Sequence, residues 1–180
     1  MTIDLSEYED AYYPSGRKKR PGWDATFLNQ ADVAALRSLC EGTQVGAVLV
    51  DVDNLIIGTG YNGPPRSFDT GGMPCTQWCL RQQTSERTED YSNCPSLHAE
   101  MNCILNSERE RRQGATLYVT RAPCAHCAKM ITGSGIMRVI WRAASASDER
   151  IYQQQLVTKI IFQKAKLEYR AYVTDNMYEV

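Results

Sequence analysis

The chain has 180 residues, 43% of them hydrophobic, with 20 Lys and Arg against 21 Asp and Glu. That length suits one globular domain spanning residues 1–180, with a continuous core of its own. The near-zero net charge offers no general positive field for a nucleic-acid polymer, and no apolar run approaches membrane-spanning length, so a small ligand and a cytoplasmic location are expected.

Residues 1–20 read as a polar, tyrosine-rich N-terminal arm that closes on Arg17-Lys18-Lys19-Arg20 and begins without the basic-then-apolar pattern of a secretory leader. Phe27, Ala31, Ala35 and Leu39 recur at the spacing of one buried helix face, predicting a helix from about Pro21 to near Gly42. Val45–Val50 and Leu55–Gly60 read as two strands joined by the short polar link Asp51–Asn54. The next 35 residues, 63–97, are rich in Pro, Gly, Ser and Thr and read as an inserted loop region that covers or flanks a site. His98 then opens a helix with Met101, Ile104 and Leu105 on its apolar face, and Thr116–Val119 is a strand. Pro123 suits the first position of a helix that stops at Gly133 or Gly135. Arg138–Trp141, Asp148–Lys166 and Leu167–Val173 complete the chain as strand, helix and fifth strand.

Three short words carry the chemistry: Gly60-Tyr61-Asn62-Gly63, His98-Ala99-Glu100 and Pro123-Cys124-Ala125-His126-Cys127. One imidazole and two thiolates can hold zinc while leaving a fourth position open, the arrangement of a catalytic site; a structural site normally supplies four protein ligands. Successive strand–helix–strand units bring both helix starts to the carboxyl edge of a sheet, so His98, Cys124 and Cys127 are expected together there, with Asn62 at the same edge. Two residues diverge by roughly 200° on a regular helix, so Glu100 does not share the ion with His98 and is placed instead to move a proton. The spacing H-x-E with P-C-x-x-C is the signature of zinc deaminases.

Four other cysteines lie outside these words. Cys40 and Cys103 read as core residues, whereas Cys75, Cys79 and Cys94, a CxxxC pair plus a third thiol in the insertion, suggest a second, structural zinc. His126, inside the CxxC, is expected on the surface.

From Lys19 to the last strand the chain resembles the deoxycytidylate (dCMP) deaminases of the zinc-dependent cytidine deaminase superfamily. The resemblance is carried by Lys19-Arg20-Pro21 with Trp23, Gln44-Val45-Gly46-Ala47, Gly58 to Gly63 with Pro65, His98 to Leu105, Leu117-Tyr118-Val119, Pro123 to Ile131, and Ser134-Gly135-Ile136. It implies an α/β protein with a three-layer α/β/α cytidine deaminase-like fold and a mixed five-stranded sheet. The implied activity is hydrolysis of dCMP to dUMP, supplying thymidylate precursors, with zinc on His98, Cys124 and Cys127 and Glu100 as the catalytic residue. It further implies a homo-hexamer, dCTP as activator and dTTP with magnesium as inhibitor. Asn62 is expected at the substrate's sugar, and Asn62, Gly63 and Arg66 at the allosteric effector. Ser67 and Trp141 depart from the residues frequent in the family, and the short length with a long insertion resembles viral or phage members. A deaminase of tRNA adenosine or single-stranded DNA would share the metal words but call for a basic, aromatic-lined channel. A non-catalytic zinc-stabilised binding module is the remaining alternative.

Overall fold

A computed structural model describes residues 21–84, 93–143 and 149–173; the arm and its Arg17–Arg20 cluster lie outside these residues. In chain order the elements are α1 (Trp23–Ala35), β1 (Gly46–Val50), β2 (Ile56–Tyr61), a 3-10 turn (Cys75–Gln77), α2 (Leu80–Gln83) and α3 (Ala99–Leu105). A second 3-10 turn (Glu110–Arg112) precedes β3 (Thr116–Val119), α4 (Ala125–Thr132), β4 (Arg138–Arg142), α5 (Glu149–Lys164) and β5 (Glu168–Tyr172). The strands form one mixed sheet in the order β2-β1-β3-β4-β5. β1 runs antiparallel to both neighbours, and β3, β4 and β5 are mutually parallel.

Side chains alternate across a strand, and β1 uses both faces. Val48 and Val50 join Tyr118 and Ile140 against Phe27, Leu28 and Ala31 of α1. Ala47 and Leu49 join Leu117, Val119, Val139 and Trp141 on the opposite face, under Ala99 and Cys103 of α3, Cys127, Ala128 and Ile131 of α4, and Phe162 of α5. Helices therefore cover both faces, which makes three layers. Ion pairs tie α1 to the sheet: Asp24 accepts hydrogen bonds from the Tyr118 hydroxyl at 2.8 Å and from both terminal nitrogens of Arg138 at 3.0 and 3.1 Å, and Asp32 pairs with Arg142. No helix among the described residues is long and apolar enough to cross a membrane.

The structure moves several expected boundaries. α1 stops at Ala35, because the amides of Leu36, Arg37 and Ser38 turn back to carbonyls three residues earlier and the chain leaves the helix in a tightened turn. Leu39 is consequently exposed, and Cys40 lies on no helix. On α3 the buried residues are Ala99, Glu100, Cys103 and Ile104, while Leu105 is 68% exposed. Pro123 precedes the N-cap of α4, Cys124, and does not itself open the helix. Cys103 is fully buried, as expected for a core residue.

The 63–97 region closes on itself. Gly63 and Leu97, its first and last residues, form an antiparallel bridge with N–H···O distances of 3.1 and 2.8 Å.

Candidate active site

Because β1 is antiparallel to both β2 and β3, those two strands point the same way with β1 between them. The connections β2–α3–β3 and β3–α4–β4 then deliver the starts of α3 and α4 to the carboxyl edge of the sheet. His98 is the N-cap of α3 and Cys124 that of α4, both with extended backbone, and neither side chain caps its own helix. They meet each other instead. The His98 Nδ1 atom lies 3.5 Å from the Cys124 Sγ and 3.3 Å from the Cys127 Sγ, and the three donor atoms are all within 4.8 Å of one another.

The electrostatics of this trio call for a cation. The hydrogen bond from Cys127, helped by His98, pulls the Cys124 thiol down to about 3, so it stands as a thiolate. That neighbouring sulfur, together with burial, pushes Cys127 up and keeps its proton on. The contact with Cys124 raises His98 against the effect of burial. Two adjacent sulfurs in a water-poor corner cannot both ionise unless positive charge stands between them, and a divalent ion supplies it. One imidazole and two thiolates are a donor set matched to zinc, and three protein ligands leave a coordination position open.

Glu100 is 4% exposed and points back into this corner, where its carboxylate meets its own backbone N–H and the Cys127 side chain. Burial raises its pKa above the ordinary carboxylate range, the direction a proton carrier at neutral pH requires.

A cavity of about 340 Å³ opens beside the trio, bordered among others by Asn62, Arg81, His98, Glu100, Arg121 and Cys124. Asn62 is braced here: its Oδ1 accepts from the Val45 amide at 2.8 Å and its Nδ2 donates to the Thr43 carbonyl at 2.8 Å. One donor hydrogen and one acceptor lone pair of its amide remain for a ligand. Gly63 is held at the neck of the insertion, with its carbonyl also accepting from the Asn102 side chain at 3.2 Å. Arg66 is exposed and does not border the cavity, and His126 is exposed.

Sequence reasoning passed over Arg81 and Arg121. Arg121 carried a usable signal, since it lies two residues past the end of β3, in the link that leads to Cys124. Cys40, read as core, is half-buried at the cavity beside Cys75; losing the last turn of the expected helix swings it there.

Behind the site, Thr158 of α5 is 2% exposed and donates its hydroxyl to the Pro123 carbonyl at 2.9 Å, bracing the turn that presents Cys124. Thr158→Val would leave that carbonyl without its partner, and urea unfolding of the variant should report a loss of about 1–3 kcal/mol.

Fold and site together define a zinc-binding deaminase. Residues 21–143 match the family model described as the cytidine and deoxycytidylate deaminase zinc-binding region. The chain belongs to that family. Among curated relatives, a deoxycytidylate deaminase of Mycobacterium phage D29 is 45% identical over 68% of this chain and 95% of its own length. A deoxycytidylate deaminase of Schizosaccharomyces pombe is 36% identical over 86% of this chain, which spans only 45% of that longer relative. Among solved structures, the dCMP deaminase of cyanophage S-TIM5 in complex with dCMP and dUMP matches with a TM-score of 0.62 and 28% identity, over 86% of this chain and 99% of that one.

Proposed function

We propose that this deaminase, acting as a single 180-residue domain, hydrolyses dCMP to dUMP with zinc held by His98, Cys124 and Cys127. One observation carries the reading: a buried carboxylate, Glu100, touches a His/Cys/Cys trio at the mouth of a small cavity, in a chain 45% identical to a phage deoxycytidylate deaminase. When bound, zinc supplies the Lewis acidity that makes water nucleophilic at neutral pH. Glu100 takes a proton from the attacking water onto its carboxylate and delivers it to the ring nitrogen beside the amine-bearing carbon. Glu100 then takes the remaining proton of the added hydroxyl and passes it to the exocyclic nitrogen, so that the carbonyl forms as the carbon–nitrogen bond breaks and ammonia leaves. Asn62 offers its remaining amide valences to the sugar. Arg81 and Arg121 give the cavity two positive groups, which suits a phosphate better than an uncharged nucleoside.

Regulation by dCTP, and by dTTP with magnesium, belongs to the same reading, with Asn62, Gly63 and Arg66 at the effector. The exposure of Arg66 outside the cavity fits an effector that does not compete directly for the catalytic corner. A homo-hexamer in the cytoplasm completes the proposal.

The test is a comparison of substrates. The zinc-loaded chain is incubated with dCMP, CMP, deoxycytidine and dCTP, each alone and with dCTP or dTTP and magnesium, and loss of cytosine absorbance is followed. Conversion of dCMP ahead of the others is expected. Turnover of a tRNA adenosine with none of dCMP would overturn it.

A further inference from the structure

Among the described residues, every hydrogen bond made by Asn62 itself goes to one short stretch of chain. Its backbone amide donates to the Val45 carbonyl at 3.0 Å, its carbonyl accepts from the buried Ser38 hydroxyl at 2.7 Å, and its side-chain amide is held by Val45 and Thr43. These partners all lie in residues 38–45, the link between α1 and β1. None belongs to α3, whose first turn carries His98 and Glu100. A substrate that reaches both Asn62 and the catalytic corner needs their separation fixed. Close packing of Gly60 on α3 brings strand and helix together but supplies no directional bond.

Asn102 supplies one. It stands one turn after His98, and its backbone amide donates to the His98 carbonyl at 3.0 Å. Its side-chain nitrogen donates to the Tyr61 carbonyl at 2.9 Å and to the Gly63 carbonyl at 3.2 Å, the residues on either side of Asn62. An asparagine amide has two donor hydrogens, and both are committed to this one backbone segment. The main chain at the start of α3 is thereby joined, through a single residue, to the main chain that flanks Asn62.

Covering a free strand edge explains only part of this arrangement. β2 pairs with β1 alone, so alternate carbonyls on its outer side lack a strand partner. Asn106, one turn further along, donates to the Thr59 carbonyl at 3.3 Å and meets that need with a single bond. Asn102 differs in straddling Asn62. It does so from the middle of α3, where asparagine is a poorer helix former than alanine, so the helix alone would favour another residue there.

We propose that Asn102 is a positioning residue for the deaminase reaction: its side-chain amide fixes Asn62 at the distance from His98 and Glu100 that a bound nucleotide spans. The proposal rests on the assignment of Asn62 to the sugar of dCMP. Asn102 does not border the cavity and acts only through the segment it grips. Removing its amide frees the Tyr61 carbonyl to take water and lets the Asn62 segment shift against α3, while His98, Glu100 and the two cysteines stay where their helices hold them.

The test is a double-mutant cycle read in steady-state kinetics with dCMP on zinc-loaded protein. Asn102→Ala is expected to lower kcat/KM about tenfold, chiefly through KM, with zinc content unchanged. In the Asn62→Ala background the same substitution should change kcat/KM by less than about twofold, because the group through which Asn102 acts is already gone. A general structural role would give the same factor in both backgrounds, and that result would overturn the proposal. So would a kcat/KM for Asn102→Ala within about twofold of wild type. Should Asn102→Ala or Asn62→Ala fail to fold, two replacements enter the same cycle with the same non-additivity expected: Asn102→Asp, which keeps the shape but presents no donor to the two carbonyls at neutral pH, and Asn62→Ser, which shortens the side chain. Failure of both Asn102 variants to fold would mark the residue as a stability element and refute its positioning role. A wild-type chain that turns over no dCMP sinks the substrate reading beneath the proposal, whereas equal factors in the two backgrounds sink the proposal alone, so the two failures are distinguishable.

Discussion

Glu100→Gln is expected to lower turnover by about 10²–10⁴-fold, the range typical of a lost general acid–base group, with the metal content of the protein unchanged. The amide keeps the shape of the side chain and can still meet Cys127, but it can neither accept a proton from water nor hold one for the ring nitrogen. Glutamine also separates catalysis from packing. Burial penalises the Glu100 carboxylate and raises its pKa, so in the metal-free fold the charged form is a burden at neutral pH, one that eases as pH falls and the group protonates. The metal-free variant should therefore melt at or above the wild-type temperature. Steady-state assays with dCMP, read beside zinc analysis, check the result: a variant with full metal and more than a tenth of wild-type turnover would remove Glu100 from its role.

Gly60→Ala should produce a large loss of stability, on the order of 3 kcal/mol, because the added carbon has no room. A Cβ at Gly60 would lie 2.3 Å from the Ala99 carbonyl oxygen and 2.4 Å from the Cys103 amide nitrogen, both backbone atoms of α3. β2 and α3 would have to separate, and α3 is the helix whose first turn carries His98 and Glu100. Gly63, in the same four-residue word, supplies the contrast: its Cβ would meet only the Tyr61 ring at 3.5 Å, an ordinary contact. Gly63→Ala is expected within about 0.5 kcal/mol of wild type. Denaturant unfolding of the two variants measures the difference, and equal losses would mean that close approach of strand and helix is not the reason for Gly60.

That contrast marks what a reader of the chain could extract. The convergence of His98, Cys124 and Cys127 was legible because local spacing and the right-handed crossover rule fix both helix starts at one sheet edge, and Glu100 followed from a two-residue offset. β1, β3 and β4 were legible because a strand buried on both faces reads as an unbroken apolar run, as Gly46–Val50 does, whereas β2, exposed at alternate positions, was legible from its β-branched residues and the short polar link to β1. Helix ends were not. Leu39 and Leu105 continue an apolar spacing in sequence, but the first lies beyond the tightened turn that ends α1 and the second faces solvent, because hydrophobicity marks what can be buried and not what is. The neighbourhood of Cys40 was hidden for a different reason. It depends on a backbone hydrogen bond between residues 39 and 75, a long-range pairing with no periodic signature.

The clasp between Gly63 and Leu97 gives the enzyme a modular build. With its first and last residues stitched together by two backbone hydrogen bonds, the segment between them can be resized without shifting the residue at which the His98 helix begins. An insertion of another length or composition could thus be carried on the same frame.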